Sequence, residues 1–366
     1  MRPLDPSSVG AAFAIDASFV DMKPTGNGHI NDTFIARYRR ARTCFRVIHQ
    51  RINPKVFPRP DLLMHNIGHV TRHCVAHLRR RGVPDLHRRA LSVVPTHDGQ
   101  PYATLAGEVW RTYNFIEGAV THETIDSPQL AAEVGRAFAH FQATLADLEP
   151  TLLHETIPDF HRTPTRYHNL CALEKADLHH RAATVQPEMD FAHARATMMH
   201  RITQALDRGD LPLRVTHNDT KLSNLMIDLE SGEGICVIDL DTVMPGSALY
   251  DFGDMVRSIP NPAAEDERDL SRVQLRLPYY AALVRGYLEG SQSQLTPYER
   301  ELLPLSGAII SLETGMRFLA DHLAGDVYCK TARVGQNLDR CRTQFPLVER
   351  LEGRMNELQA LTREAS

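Results

Sequence analysis

The chain has 366 residues, 42% hydrophobic and 23% charged, with a formal net charge of -4. That length favours two domains or lobes around a substantial core, and the slight acidic excess gives no footing for nucleic-acid binding. No apolar run approaches bilayer-crossing length, and Met1-Arg2-Pro3-Leu4-Asp5-Pro6 lacks a signal-peptide core. Cys44, Cys74, Cys171, Cys236, Cys329 and Cys341 are scattered without a CxxC pair, so free thiols in a reducing cytoplasm are expected.

The N-terminal part alternates strand-like and turn-like runs. Ser18 to Met22 predicts a strand, Gly26 to Gly28 a turn, Thr33 to Tyr38 a second strand and Thr43 to His49 a third. Gly-Asn-Gly lets backbone N–H groups approach a phosphate without a Cβ in the way, although a tight hairpin wants the same residues. Asp61 to Arg81 predicts a helix with Leu62, Leu63, Ile67, Val70, Cys74 and Leu78 on one face. It also carries His65, His69, His73 and His77 as an i, i+4 ladder. Such a stripe could share a transition metal, but no carboxylate or cysteine completes an obvious coordination set, and a polar face in a chain with 19 histidines is the plainer reading. Leu91 to Pro95 and Glu108 to Ile116 read as further strands around an Asp98-Gly99 turn. Trp110 itself reads as core.

Beyond Gly118 the pattern turns helical. Helices are expected over Ser127 to Leu145, Arg166 to Ala183, Ala192 to Asp207, Val273 to Glu289, Pro297 to Ala324 and Asn337 to Ala360, with a loop from Ile259 to Asp269. Between them, Leu213 to Thr216 is strand-like, and Ser223–Ile227 with Gly234–Ile238 flank a polar turn as a hairpin.

The chemistry concentrates there. Thr216-His217-Asn218-Asp219-Thr220-Lys221-Leu222-Ser223-Asn224 is followed by Ile238-Asp239-Leu240-Asp241. Phosphoryl transfer from a nucleotide needs a carboxylate to orient the attacking hydroxyl and take its proton. It also needs an amide and a second carboxylate to hold the metal that neutralises the phosphates. Asp219 suits the first role, Asn224 and Asp239 the second, and the hairpin would bring those two side by side within reach of Mg²⁺. A literal Asp251-Phe252-Gly253 lies further on, but Asp239 already fills the metal position. Asp251 is instead expected to cap a helix and brace the catalytic loop.

These motifs resemble the aminoglycoside phosphotransferase and choline kinase superfamily, which carries H-x-D-x-x-x-x-N followed by I-D-[LWF]. Within it the chain is similar to the N-acetylhexosamine 1-kinases, through Gly26-Asn27-Gly28-His29-Ile30-Asn31, Gln50-Arg51-Ile52-Asn53, Val243-Met244-Pro245-Gly246, Gly315-Met316-Arg317-Phe318-Leu319 and Gly325-Asp326-Val327-Tyr328. The resemblance covers most of the chain. It implies an α+β, two-lobed protein-kinase-like fold: a small antiparallel-sheet nucleotide lobe over 1–116 and a larger, mainly helical catalytic and sugar-binding lobe over 117–366. ATP and Mg²⁺ are the implied cofactors and an N-acetylhexosamine the acceptor. Gly26, Asn27, Gly28 and Arg51 would restrain the phosphates, since an arginine fork suits them and no lysine lies in the third strand. His29, Asn31, Asp219, Arg317 and Tyr328 would meet the sugar. The 61–81 helix has no glutamate to hold a strand cation, so either Asp61 substitutes or that pair is absent. Another small-molecule kinase of the superfamily and a nucleotide-binding pseudokinase are the alternatives; intact Asp219, Asn224 and Asp239 argue against the second.

Overall fold

The computed structural model describes residues 5–26 and 30–365. Five strands form an antiparallel sheet in the order β1-β2-β3-β5-β4: β1 Ser18–Pro24, β2 Asp32–Arg40, β3 Thr43–Ile52, β4 Ala103–Leu105 and β5 Glu108–Asn114. β2 and β3 pair without a register shift from Asp32↔Arg51 to Arg40↔Thr43. Strand alternation sorts their side chains. Ile48 and Ile52 pack into the main core, whereas Ala36, Tyr38 and Val47 face a small cluster on the opposite side, beside the one that holds Val9, Phe13 and Trp110. Trp110 is core, as expected. Leu91 to Pro95 runs beside β5 with only a single bridge, Val93↔Tyr113, and the paired edge strand is β4. The pairing stays short because Ser92 N donates to the Asn114 side chain rather than its carbonyl, and Pro95 turns its carbonyl away from β5 to accept from Ala14 N.

The expected 61–81 helix is present as α1, Pro60–Arg80. It lies against the junction with the helical lobe: Asn66 donates through Nδ2 to the carbonyls of His154 (2.7 Å) and Val243 (3.0 Å), and its Oδ1 accepts from His154 N. The helical lobe comes next, as α2 Pro128–Thr144, α3 Thr163–Ala176, α4 Ala248–Ser258, α5 Leu277–Gly290, α6 Pro297–Leu323, α7 Gln336–Gly353 and α8 Met355–Glu364. Ser127 caps α2 by accepting from Leu130 N, and Thr296 with Glu299 forms a reciprocal capping box on α6. The stretch expected as one helix from Ala192 to Asp207 is broken into Gln186–His193, Ala196–Met199 and Arg201–Asp207.

By length and composition α6 could cross a bilayer, contrary to the reading of the sequence, but 83% of its apolar window is buried inside the protein. It is the core helix of the larger lobe, with Leu312, Met316 and Leu319 packed against α3 and α7. Two small sheets complete the fold: β7 Arg214–Thr216 with β10 Met244–Gly246, and β6 Ala119–Val120 with β8 Leu225–Asp228 and β9 Gly234–Val237.

Candidate active site

β7 delivers Thr216 to the catalytic loop, and one buried carboxylate shapes that loop. Asp251, on α4, accepts from the backbone N–H of His217 (3.0 Å) and of Asn218 (2.7 Å), and from the Gln142 amide Nε2 (2.6 Å). Its own carbonyl accepts from Thr220 Oγ1. Asp251 therefore braces the loop as expected, but it does not cap α4; Ser247 does, accepting from Leu249 N. The brace is needed because Asn218 adopts a left-handed backbone (φ 65) that a free chain disfavours. Gly246 on β10 passes so close that a Cβ there would lie 2.4 Å from Thr216 Oγ1.

Asp219 emerges half-buried from this loop. Its carboxylate accepts from Lys221 Nζ and Asn224 Nδ2, both at 2.9 Å, and its carbonyl accepts from Asn224 Nδ2 at 2.8 Å. Desolvation pushes the Asp219 carboxyl up, but the Lys221 ammonium, with His217 and Arg257, outweighs it and holds the group below the ordinary carboxylate range. The hairpin supplies the rest: Ile238 N donates to the Asn224 carbonyl at 2.9 Å, so Asp239 leaves its strand beside Asn224. Asp239 is also left-handed (φ 59), a backbone choice that aims its side chain out of the β9 ladder. It stays open to solvent, yet crowding by the cleft walls and the charges of Asp241 and Asp219 push its carboxyl up, with Lys221 and Arg111 opposing.

A divalent cation fits this donor set. Asn224 commits its Nδ2 to Asp219 and, among the described residues, its Oδ1 accepts no hydrogen bond. Asp239 is a carboxylate crowded by like charges, which a cation would relieve.

Arg51 does not point where the sequence suggested. Its guanidinium binds Asp32 (Nη2–Oδ2 2.5 Å) and Glu108, on the β2 and β5 neighbours. Adjacent strand residues face opposite ways, and it is Gln50 that shares a face with Arg111, whose Nε donates to Gln50 Oε1 at 2.9 Å. Arg111 then ion-pairs with Asp241 at 2.5 Å, both side chains buried. The cation that reaches the catalytic hairpin is thus Arg111, not Arg51. Asp61 does not substitute for the missing glutamate of α1: it pairs with Arg59, so no α1 carboxylate meets Arg51, which Asp32 and Glu108 hold instead. Asn31 joins the same node: its Nδ2 donates to Asp241 Oδ2 at 2.5 Å and its Oδ1 accepts from Asn53 N. Gly26 is an exposed bend (φ 76) directly after β1, closed by Thr25 N donating to Thr33 O. Asn27, Gly28 and His29 lie outside the described residues.

Arg317 and Tyr328 come from the helical side. The Arg317 guanidinium sits 4.6 Å from the Phe160 ring centre, and Arg166 donates to the Phe160 carbonyl at 3.3 Å. Burial and the nearby Arg317 charge lower the Arg166 pKa, and among the described residues neither arginine forms an ion pair. Glu313 does not neutralise them directly: its oxygens are taken by His161 Nδ1 (2.7 Å) and Thr163 Oγ1 (2.6 Å). His161 Nε2 lies 3.3 Å from the Asn218 carbonyl, which places this group next to the catalytic loop. Tyr328 is about half exposed (49%), its segment tied down by Asp321, which accepts from the N–H groups of Val327, Tyr328 and Cys329. The acidic run at 263–267 is consumed by arginines: Glu265 by Arg257 and Arg340, Asp266 by Arg333, Glu267 by Arg272.

Residues 21–294, about three-quarters of the chain, match the model of the phosphotransferase enzyme family. The chain belongs to that family. Among solved structures it is similar to an aminoglycoside phosphotransferase from Alicyclobacillus acidocaldarius (TM-score 0.61, 14% identity, covering 100% of this chain and 98% of that one). It is also similar to a microcompartment-associated aminopropanol kinase (0.58, 18%, 96% and 97%) and to a spectinomycin phosphotransferase in complex with ADP and spectinomycin (0.55, 12%, 95% and 100%). At these identities the likeness establishes the protein-kinase-like fold. The protein is a small-molecule kinase of this superfamily.

Three contributors to the phosphotransferase site were missed in the sequence. Lys221 had a signal, being two residues beyond Asp219 in the H-x-D-x-x-x-x-N stretch. Arg111 and Asp241 had none, because 130 residues of chain separate them and neither belongs to a motif that names its partner.

Proposed function

We propose that this phosphotransferase transfers the γ-phosphate of ATP to the anomeric hydroxyl of an N-acetylhexosamine, giving the sugar 1-phosphate. One observation carries the acceptor class: the wall beside the catalytic loop is made of Phe160, Arg166, Arg317 and Tyr328, with no uncommitted carboxylate among the described residues. A cationic amino alcohol or aminoglycoside would meet two arginines there. A neutral sugar offers hydroxyl and amide oxygens that guanidinium donors bind well, and an acetyl methyl that an aromatic ring covers.

The acceptor hydroxyl donates to Asp219, which orients it for in-line attack on the γ-phosphorus. As the P–O bond to ADP breaks and the new bond forms, the hydroxyl proton passes to the Asp219 carboxylate. Held below the ordinary carboxylate range by Lys221, Asp219 is ionised at neutral pH and ready to accept the hydroxyl proton. Lys221, 2.9 Å from Asp219, adds positive charge where the transferring group gains negative charge. Asn224 and Asp239 would hold Mg²⁺, which supplies charge neutralisation across the phosphates when bound. Arg111 reinforces that side through Asp241. The Gly-Asn-Gly sequence from Gly26 suits phosphate restraint by backbone N–H groups, and Arg51, held by Asp32 and Glu108, ties β3 to β2 and β5 rather than touching nucleotide.

Incubation with Mg-ATP and N-acetylglucosamine, read by phosphorus NMR, tests this. A sugar phosphate coupled to the anomeric proton is expected. Turnover with an amino alcohol or aminoglycoside and none with the sugar would overturn the acceptor assignment; nucleotide binding with no transfer to any acceptor would favour a pseudokinase.

A further inference from the structure

The histidine ladder of α1 acquires in three dimensions the carboxylate that its own sequence neighbourhood lacks. His73 and His77 lie one helical turn apart, ring centres 6.5 Å from each other. Asp147, three residues past the end of α2, reaches them from the helical lobe with Oδ1 2.8 Å from His73 Nε2, which also lies 3.1 Å from the Thr144 carbonyl, a contact that metal binding would replace. One ligand atom from each of the three lies within 4.8 Å of the other two, and the group is reachable from solvent, with both imidazoles half-buried and Asp147 exposed. The other half of the ladder is different. His65 and His69 stack at 4.4 Å and His154 lies 4.8 Å from His65, but no carboxylate of the described residues joins that cluster.

We propose that His73, His77 and Asp147 form a site for one transition-metal dication of the zinc class, separate from the catalytic cation. Two imidazoles at i and i+4 on one helix face, plus one carboxylate oxygen, make a three-ligand set that leaves a fourth, water-filled position. Imidazole nitrogen selects zinc, cobalt, nickel or copper over magnesium and calcium. The ion displaces the proton in the His73–Asp147 hydrogen bond, and a small closing of the three side chains brings them to bonding distance. Arg80 approaches the other carboxylate oxygen, Oδ2, at 3.5 Å, which leaves Oδ1 for the metal but sets a nearby positive charge against it. Binding in the micromolar range is the expectation. The bridge joins α1 to the end of α2 across the junction that Asn66 already fastens to Val243, next to Thr242, whose carbonyl accepts from Asn218 Nδ2. Occupancy therefore stiffens the contact between the lobes and raises the melting temperature.

The experiment titrates cobalt(II) into chelator-treated full-length protein near neutral pH and follows visible d–d absorption. One saturable equivalent, displaced by zinc, is expected for the native chain and for His69→Ala. His77→Ala and Asp147→Ala should each weaken binding at least tenfold while keeping native circular dichroism and unchanged Mg-ATP kinase turnover. The proposal is overturned by the absence of a saturable signal in the native chain, or by bands that survive in His77→Ala and Asp147→Ala. Bands lost in His69→Ala, which would move the site to the three-imidazole cluster, or a strong near-ultraviolet thiolate band, which would move it to cysteine, overturn it equally.

Discussion

The catalytic loop and the acceptor-side loop lie within one lobe and are held in opposite ways. From Thr216 to Asn224 every residue is buried or half-buried, and Asp251 clamps the backbone through the N–H groups of His217 and Asn218. From Gly325 to Gly335 the chain is largely exposed, with Val327 at 76% and Val334 at 91%, and one carboxylate, Asp321, gathers three consecutive N–H groups at its start. Phosphoryl transfer tolerates little displacement of the base relative to the metal ligands, so the first loop is over-determined. Acceptor choice needs only that a few side chains settle around a ligand, so tethers near the two ends suffice: Asp321 and the Arg181–Asp326 pair at one, Arg333 with Asp266 and Asp339 at the other.

The sharpest way to break the contrast is at the base itself. Asp219→Asn should lower kcat by roughly 10³-fold with nucleotide affinity and melting temperature little changed, measured by coupled ADP release and calorimetry. Near-normal turnover would remove Asp219 from the reaction. Asp251→Ala comes next: it strands the His217 and Asn218 N–H groups in a buried site, and urea denaturation should register a loss of about 4 kcal/mol together with most of the activity.

His49 gives a control in the sheet lobe. It is fully buried between Tyr38 Oη (2.9 Å) and Thr112 Oγ1 (2.7 Å), and burial lowers its pKa from 6.5 to about 4. The unfolded chain takes up the proton first, so this contribution is complete above pH 6.5 and is lost as the pH falls towards 4, amounting to about 3 kcal/mol. Comparing urea midpoints of the native chain and His49→Gln across that window should show the native chain losing more; parallel curves would mean that His49 is not buried neutral. The lobes would then respond to acid through other groups.

Asp321→Ala should act mainly on the acceptor loop, raising KM for the sugar about tenfold if loosening cuts the ordered fraction to a tenth, with kcat and KM for ATP nearly unchanged. Some loss of stability accompanies it, because Asp321 also accepts from the Asn337 amide. An equal fall in kcat would show that the acceptor loop is as tightly coupled to chemistry as the catalytic one. The smallest effect is expected at Arg51. Its pairs with Asp32 and Glu108 are part-exposed, so Arg51→Ala should cost about 0.5 kcal/mol and leave KM for ATP in place. A large rise in that KM would restore Arg51 to the phosphates.

Much of this molecule could be read before it was seen. The hairpin placing Asn224 beside Asp239 comes from two short apolar runs around a polar turn, and the helix expected from Ser127 to Leu145 is α2, Pro128–Thr144, with Ser127 as its cap. Those are local matters of periodicity, capping and turn chemistry, which neighbouring residues decide among themselves. The order of base, amide and carboxylate is local too, since Asp219, Asn224 and Asp239 lie within 21 positions.

The tertiary structure decided what depends on facing and distance. A shift of one residue along β3 reverses the side of the sheet, so whether Gln50 or Arg51 faces the cleft depended on register, and the buried cation came from β5 as Arg111. The partners of Asn31, 210 residues away, and of His73, 74 residues away, carry no mark in the primary sequence. Ionic and hydrogen-bonding groups recognise one another only at a few ångströms, and only packing of the hydrophobic core brings such distant segments that close.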